Sequence, residues 1–531
     1  MRRLGFAALA LASAVLGAAA ALIETRYSVF DMAPGRAAWP LAMGLLATLG
    51  AAWLGRSWAP PALRPGLVIA AAFAACALVG WVSGAAWPNS GDEYGYTYAA
   101  RTFLAGRFYN PAPPAPPLFE TWHIATVAGK TFAYYAPGWP ALIALFQPLG
   151  LERLISPALI ALMAYGLLRA MRLLAVPPSW QGFGLAAILF SPFILFNGGS
   201  LYPHAATGAV LALIIWTRLS DDARPAWWKA VLIGVLFSIL LQIRYETFAV
   251  VLGVYVLERL LLRRVRALPE FVLAGIGAIP SVLFFLYYNW AITGSALTPP
   301  YSWSNPHYHM GLWGFGDDGQ HSPARGLLHA AIWSGELAEY AGLALLPPYA
   351  LALAAKWRRG TLRFFDVLLP VVFLFYFLQP DNGGYRYGPR YWFYGWPPVI
   401  LTILSGLGPE LDRRFGRYAL VNLAFCAGAL PVLVLVTRLT IDARREVYAT
   451  RPPTEPAIVL IPNRSYVLFP WQYLPTHPYS GDFTRNDLDF KAPVLYGDGI
   501  LPNAVQLACT LPGRRVYRWE PGGRYVEERC P

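Results

Sequence analysis

The sequence predicts an all-α polytopic membrane protein with about thirteen transmembrane helices and a small α/β extracytoplasmic C-terminal domain. Three observations lead there. The chain of 531 residues is 56% hydrophobic and 13% charged, where a soluble protein carries roughly 25% charge. Its apolar residues gather in runs of about twenty, the length that crosses a bilayer. From residue 440 onward those runs stop, and strand-like and turn-like segments alternate. Spans must be helical, because lipid offers nothing to a free backbone N–H or C=O.

In chain order the first apolar run is 5–23, behind Arg2 and Arg3. It is longer than a signal-peptide core and reads as a retained span rather than a cleaved leader. Runs 38–54 and 66–86 follow, joined by a loop with Arg56 and Arg64. Then comes a polar, aromatic loop, 87–137, opened by GDEYGYTYAARTFLAGRF. It contains NPAPPAPP, which cannot be helix or central strand. It leads into YYAPGWPALIALFQPLG, an apolar helix too short to span and suited to the interface. Spans resume at 153–173, 182–199, 204–219, 229–243, 246–262, 270–292, 335–355, 364–380, 391–408 and 418–439. The spanning module is therefore 1–439 and the soluble domain 440–531.

The net charge of +13 comes mostly from short loops between spans, so it points to membrane orientation rather than nucleic acid. One set of alternate loops holds Arg169, Arg172, Arg218, Arg224, Lys229, Arg259, Arg263, Lys356, Arg358, Arg359 and Arg363, among others. The opposite set is longer in total and holds about half as many. The basic set should face the cytoplasm. This places the 87–137 loop, loops 293–334 and 381–390, and the tail on the outer side of a bacterial cytoplasmic membrane.

In the tail, AIVLIP (457–462), PVLYGD (493–498) and RVYRW (515–519) read as strands, and 503–511 as a short helix. Cys76 and Cys426 lie in apolar runs as small core residues. Cys509 and Cys530 lie in the tail, where a disulfide is allowed if the tail is outside the cytoplasm.

Asp92 and Glu93 are the conspicuous acids. Neighbours on a helix point about 100° apart, so they cannot form one paired site; one faces the interior and the other caps or faces water. A carboxylate at a membrane face is a functional candidate, and a base that activates a hydroxyl needs one. Both are candidate catalytic residues. Arg386 and Arg390, in DNGGYRYGPRYWFYGWPP, and Arg244, in RYE, are candidate phosphate ligands, since arginine forks suit phosphate. Candidate substrate contacts are Tyr96, His123, Tyr135 and His204. His307, His309 and His321 lie near Asp317 and Asp318, a residue set that can bind a divalent metal if its geometry closes. No Walker loop or Gly-x-Ser-x-Gly elbow occurs. The free energy must then come from a pre-activated donor or a gradient.

These residues resemble the GT-C class of integral membrane glycosyltransferases, which includes protein O-mannosyltransferases and the lipid A aminoarabinose transferase, and most closely its little-characterised bacterial members. The resemblance rests on the Asp-Glu pair after an early span, YTYAAR with Gly106-Arg107, YYAPGWPALIALF, RYETFAVVLG, YYNWAITGSALTPPY, RYGPRYWFYGWPP and the GFG…H…PARG loop. It covers nearly the whole chain. Two spans precede the one leading into the Asp92 loop, where many relatives have none. The resemblance implies a polyprenyl-phosphate-sugar donor and transfer on the outer face to a glycolipid, glycan or protein. It implies Asp92 as the base, and basic residues such as Arg244 holding the donor phosphate. Inversion at the anomeric carbon follows from a single displacement. The rival reading is a transporter or flippase of lipid-linked sugars, which would favour internal repeats and midplane polar residues; neither is visible. A non-catalytic partner in envelope synthesis is a third.

Overall fold

The computed structural model describes residues 61–531 apart from 121–122, 264–266, 317–318, 381–386, 409–410, 462–463, 467–472, 476–484 and 521. The expected spans 5–23 and 38–54, Arg386, Asp317 and Asp318 lie outside the described residues. Contacts divide the chain into two compact units. One holds described residues up to Trp81, Arg153–Leu283 and His307–Leu435; the other holds Val82–Glu152, Phe284–Pro306 and Val436–Pro531.

The first unit is helical. Four described helices in the chain are long and apolar enough to cross a membrane: Pro65–Ser83, Glu152–Leu173, Leu268–Thr293 and Phe415–Leu439. Two further helix pairs pass the same test together, though each is bent. Pro178–Leu189 and Pro192–Gly199 meet at 69°. Ser191 resets the chain there, accepting from the Ile194 N–H as the cap of the second helix. Pro323–Ala341 and Leu346–Arg358 meet at 108°. This corrects the expected single span 335–355. Gly342 turns the chain at φ 70°, a conformation that favours glycine. The Ala341 carbonyl left over at the break accepts from Asn422 Nδ2 at 2.9 Å and from Cys426 Sγ at 3.6 Å. The expected span 391–408 is also subdivided, into a 3₁₀ turn Arg390–Gly395 and a helix Val399–Gly406.

Several of the cations expected in loops sit in internal ion pairs. Lys356 is buried against Asp366 at 2.7 Å, whose carboxylate also takes the Thr402 hydroxyl and the Arg363 N–H. Arg218 and Arg363 share Asp222, each at 2.6 Å, and buried Arg259 pairs with Glu270. A charge removed from water needs such a partner.

The second unit joins the first polar loop to the tail. A three-stranded antiparallel sheet has Lys130–Ala133 between Asn110–Pro111 and Ile124–Val127. Pro111 stands on an edge strand, as proline requires. Pro116–Phe119 forms one short helix, against the expectation for NPAPPAPP; its prolines occupy the first turn, where a missing N–H costs nothing. The tail sheet runs Arg524–Glu528, Arg515–Glu520, Ala457–Ile461, Val494–Asp498. The hairpin of Arg515–Glu520 with Arg524–Glu528 is antiparallel, and the other two pairs are parallel. The last helix of the bundle runs on to Ala449 before this sheet begins. Cys509 and Cys530 are disulfide-bonded. Ala115, Leu118 and Phe119 of the first loop are buried in the same apolar cluster as Ile458, Leu460, Leu495, Ala504, Ala508 and Val516. Loop and tail thus share one core.

Candidate active site

The sequence Ser90-Gly91-Asp92-Glu93 starts the helix Gly91–Leu104 and decides the fate of both acids. Ser90 is the N-cap, accepting from the Glu93 N–H, and Glu93 Oε2 accepts from Ser90 Oγ at 3.0 Å and from the Asn89 N–H at 3.2 Å. This is close to a reciprocal capping box. Glu93 is fully buried, so the capping role falls to it and the expected catalytic role does not fit its placement. Asp92, one position earlier, is partly exposed. Its Oδ1 accepts from Tyr135 Oη at 2.7 Å.

Tyr135 lies among rings: Tyr96 at 4.4 Å, Tyr134 at 5.4 Å and His123 at 5.7 Å between centroids. His123, at φ 73°, bonds through Nδ1 to the Tyr134 hydroxyl. Burial, then the charge of Asp92, push the Tyr135 phenol well above its ordinary range. It therefore remains a donor throughout the physiological range. The helix itself is braced from behind. Asn110 Nδ2 donates to Tyr98 Oη and Thr102 Oγ1, and Arg101 donates to the Asn486 carbonyl at 2.9 Å.

In the other unit three expected residues come together. Arg244 is the extended residue closing the helix Trp227–Ile243. His204 begins the helix His204–Ala223, and Arg390 begins the 3₁₀ turn. Arg244 Nη1 donates to His204 Nδ1 at 3.1 Å, which leaves the His204 proton on Nε2 in the neutral ring. The Arg244 guanidinium lies over the Tyr391 ring at 5.0 Å. Arg390 lies over the Tyr202 ring at 4.4 Å and over Tyr391 at 5.5 Å. Two guanidiniums on one tyrosine ring form a cationic niche lined with aromatic faces, a setting that suits a phosphate.

The three loop histidines are not placed alike. His321 is buried and donates from Nε2 to the Phe377 carbonyl at 3.0 Å, while His307 and His309 are exposed. Among the described residues no group of three or more His, Cys, Asp or Glu side chains is arranged to hold a metal.

Among solved structures, the chain is similar to ArnT from Cupriavidus metallidurans bound to undecaprenyl phosphate, with a TM-score of 0.50 and 13% identity over 86% of this chain and 93% of that one. The chain has a GT-C class glycosyltransferase fold. The apo form of the same enzyme gives a TM-score of 0.47 at 13% identity over 85% and 92% of the two chains. The archaeal oligosaccharyltransferase AglB from Archaeoglobus fulgidus, in complex with an inhibitory peptide and a dolichol-phosphate, gives 0.43 at 9% identity over 86% and 74%. No protein-family model matches the sequence, and no curated protein matches it significantly.

Within this GT-C fold, Tyr202 and Tyr391 were not anticipated as parts of the cationic niche. Both flank a predicted residue, in SLYPH and PRYWF, and that adjacency is the signal the sequence offered. Tyr135, expected against substrate, is found on Asp92.

Proposed function

We propose that this protein is a glycosyltransferase that moves a sugar from a polyprenyl-phosphate donor to an acceptor hydroxyl, on the outer face of a bacterial cytoplasmic membrane. The observation that carries this reading is the meeting of Arg244, Arg390 and His204 around Tyr391 and Tyr202, within a GT-C fold. The neighbour in fold was crystallised with undecaprenyl phosphate. A sugar phosphate leaves as an anion, so it needs fixed cations more than a proton donor. The acceptor hydroxyl needs a base, and Asp92 is the accessible carboxylate of its helix. Asp92 takes the hydroxyl proton as the oxygen attacks the anomeric carbon. The bond to phosphate breaks on the opposite side, and the configuration inverts. The acceptor is a glycolipid, glycan or protein hydroxyl.

Membranes containing Asp92→Asn at the normal protein level should lose transfer by about 10²–10⁴-fold, the usual worth of a general base. Mass spectrometry of lipid-linked sugars and envelope glycans, with and without the gene, should show the donor accumulating and one glycan losing a sugar. A glycan profile and donor pool unchanged by the deletion would refute the proposal. A flippase would instead change the sidedness of the donor while every glycosidic bond still formed.

A further inference from the structure

We infer that Tyr135 is the positioning residue for Asp92, and that Gly95 is the slot that lets it reach. This deepens the proposed function and rests on the reading of Asp92 as the base.

Asp92, Gly95 and Tyr96 stand at positions i, i+3 and i+4 of one helix, so they share a face. Tyr135 lies across that face. Its hydroxyl meets Asp92 Oδ1 at 2.7 Å, and its ring meets Tyr96 at a centroid distance of 4.4 Å. Between the two is Gly95. A Cβ there would stand 2.7 Å from Tyr135 Cε2, closer than real side chains approach, and a tight 3.3 Å from Cδ2. Any residue but glycine pushes the ring off the helix and the hydroxyl off the carboxylate. Tyr135 is held from its other side too, since its carbonyl accepts from the buried Tyr288 hydroxyl at 3.3 Å. The aspartate side chain has two torsions, and a donor fixed on Oδ1 settles both, orienting Oδ2 for a hydroxyl.

Other ionisable groups on the elements packed here make contacts of their own. Glu93 serves the cap, His123 bonds Tyr134, Tyr98 receives Asn110, Arg101 holds the Asn486 carbonyl, and Lys130 donates to the Ala291 and Ile292 carbonyls. Tyr94 and Tyr96 are buried on the Asp92 helix itself, and Tyr301 meets Tyr134 edge-on. Tyr135 brings a hydroxyl to the carboxylate from the loop. A donor to an ionised carboxylate favours the ionised form. Removing it should make Asp92 take up a proton at a higher pH.

The test uses the full chain in phosphatidylethanolamine–phosphatidylglycerol nanodiscs. Infrared difference spectroscopy follows carboxyl protonation with pH, and the Asp92 band is the one that Asp92→Asn removes. In Tyr135→Phe the midpoint of that band should rise by about half to one pH unit. Gly95→Ala should shift it the same way, although the hydroxyl is still present. Should either variant fail to fold, 3-fluorotyrosine placed at 135 preserves the shape and strengthens the donor; the midpoint should then fall. In membranes supplied with the host's own lipid-linked sugars, Tyr135→Phe should reduce kcat about tenfold and leave KM for the donor unchanged. Its acid limb should move with the infrared midpoint. A midpoint that stays put in Tyr135→Phe, or in the fluorotyrosine protein, overturns the inference even if Asp92→Asn is inactive. Full transfer by Asp92→Asn overturns the base assignment instead, and with it any role of Tyr135 in transfer.

Discussion

Two neighbouring acids, Asp92 and Glu93, show how a single position along a helix separates an accessible carboxylate from a buried, capping one. Ser90 and Glu93 complete a cap, and the cap turns Glu93 inward and Asp92 out. Glu93→Gln should therefore lower thermal stability by about 1 kcal/mol and leave KM for the donor unmoved, whereas Asp92→Asn should lower turnover by about 10²–10⁴-fold with a smaller loss of stability. Thermal unfolding beside a transfer assay separates the two. At the cationic niche, Arg390→Ala or Arg244→Ala removes a charge-assisted contact worth about 1.5–3 kcal/mol, or roughly ten- to a hundredfold in donor affinity. Lysine in place of Arg390 should restore only part of it, because the flat fork that lies on Tyr202 and Tyr391 is lost. KM for the lipid-linked donor is the quantity to measure. The Ser-x-x-Glu spacing was in the sequence from the start. What the sequence did not carry is the partner of Asp92, because Tyr135 is forty-three positions away and meets it only through the fold.

At the scale of elements, hydropathy located the apolar segments and missed their breaks. Apolar content alone reads 335–355 as one span, yet the chain bends by 108° at Gly342. The glycine was visible; its φ of 70° and the Asn422 side chain that accompanies it were not. A Cβ at 342 would stand 2.4 Å from Asn422 Oδ1 in a backbone region that L-residues avoid. Gly342→Ala should cost about 1–3 kcal/mol of stability. Asn422→Leu should cost a similar amount by stripping the Ala341 carbonyl of its amide donor. Both are read as lowered unfolding temperatures in detergent, and neither should alter donor KM. In the tail the alternating pattern did better: the strands Ala457–Ile461, Val494–Asp498 and Arg515–Glu520 stand where their apolar residues put them. The hairpin partner Arg524–Glu528 was missed, because its charged residues mask an edge strand exposed on one side. The Cys509–Cys530 bridge closes a loop of sequence separation 21. By loop-closure entropy its reduction should cost the tail about 3 kcal/mol, seen as a lower unfolding temperature in dithiothreitol.

At the scale of the whole molecule, the joint core of first loop and tail ties distant parts of the sequence to one another. Leu118 is fully buried in the tail's apolar cluster, and Gly497 leaves room for it: a Cβ there would stand 2.8 Å from Leu118 Cγ. Arg107 pairs with Asp489 at 2.9 Å, although this exposed bridge adds little by itself. Arg101, on the Asp92 helix, holds the Asn486 carbonyl. The tail carries none of the residues proposed for the reaction, yet it braces the helix that bears Asp92. Removing residues 453–531 should therefore abolish transfer, and should open the segment 110–137 to protease, while the bundle still inserts. Leu118→Asp in the full-length chain puts a charge into the shared core and should reproduce both effects with every cation and Asp92 intact. A truncated protein that transfers sugar at the full rate would show that the Asp92 helix stands without its brace. Added dithiothreitol, by loosening the tail that forms this brace, should slow transfer in the intact protein.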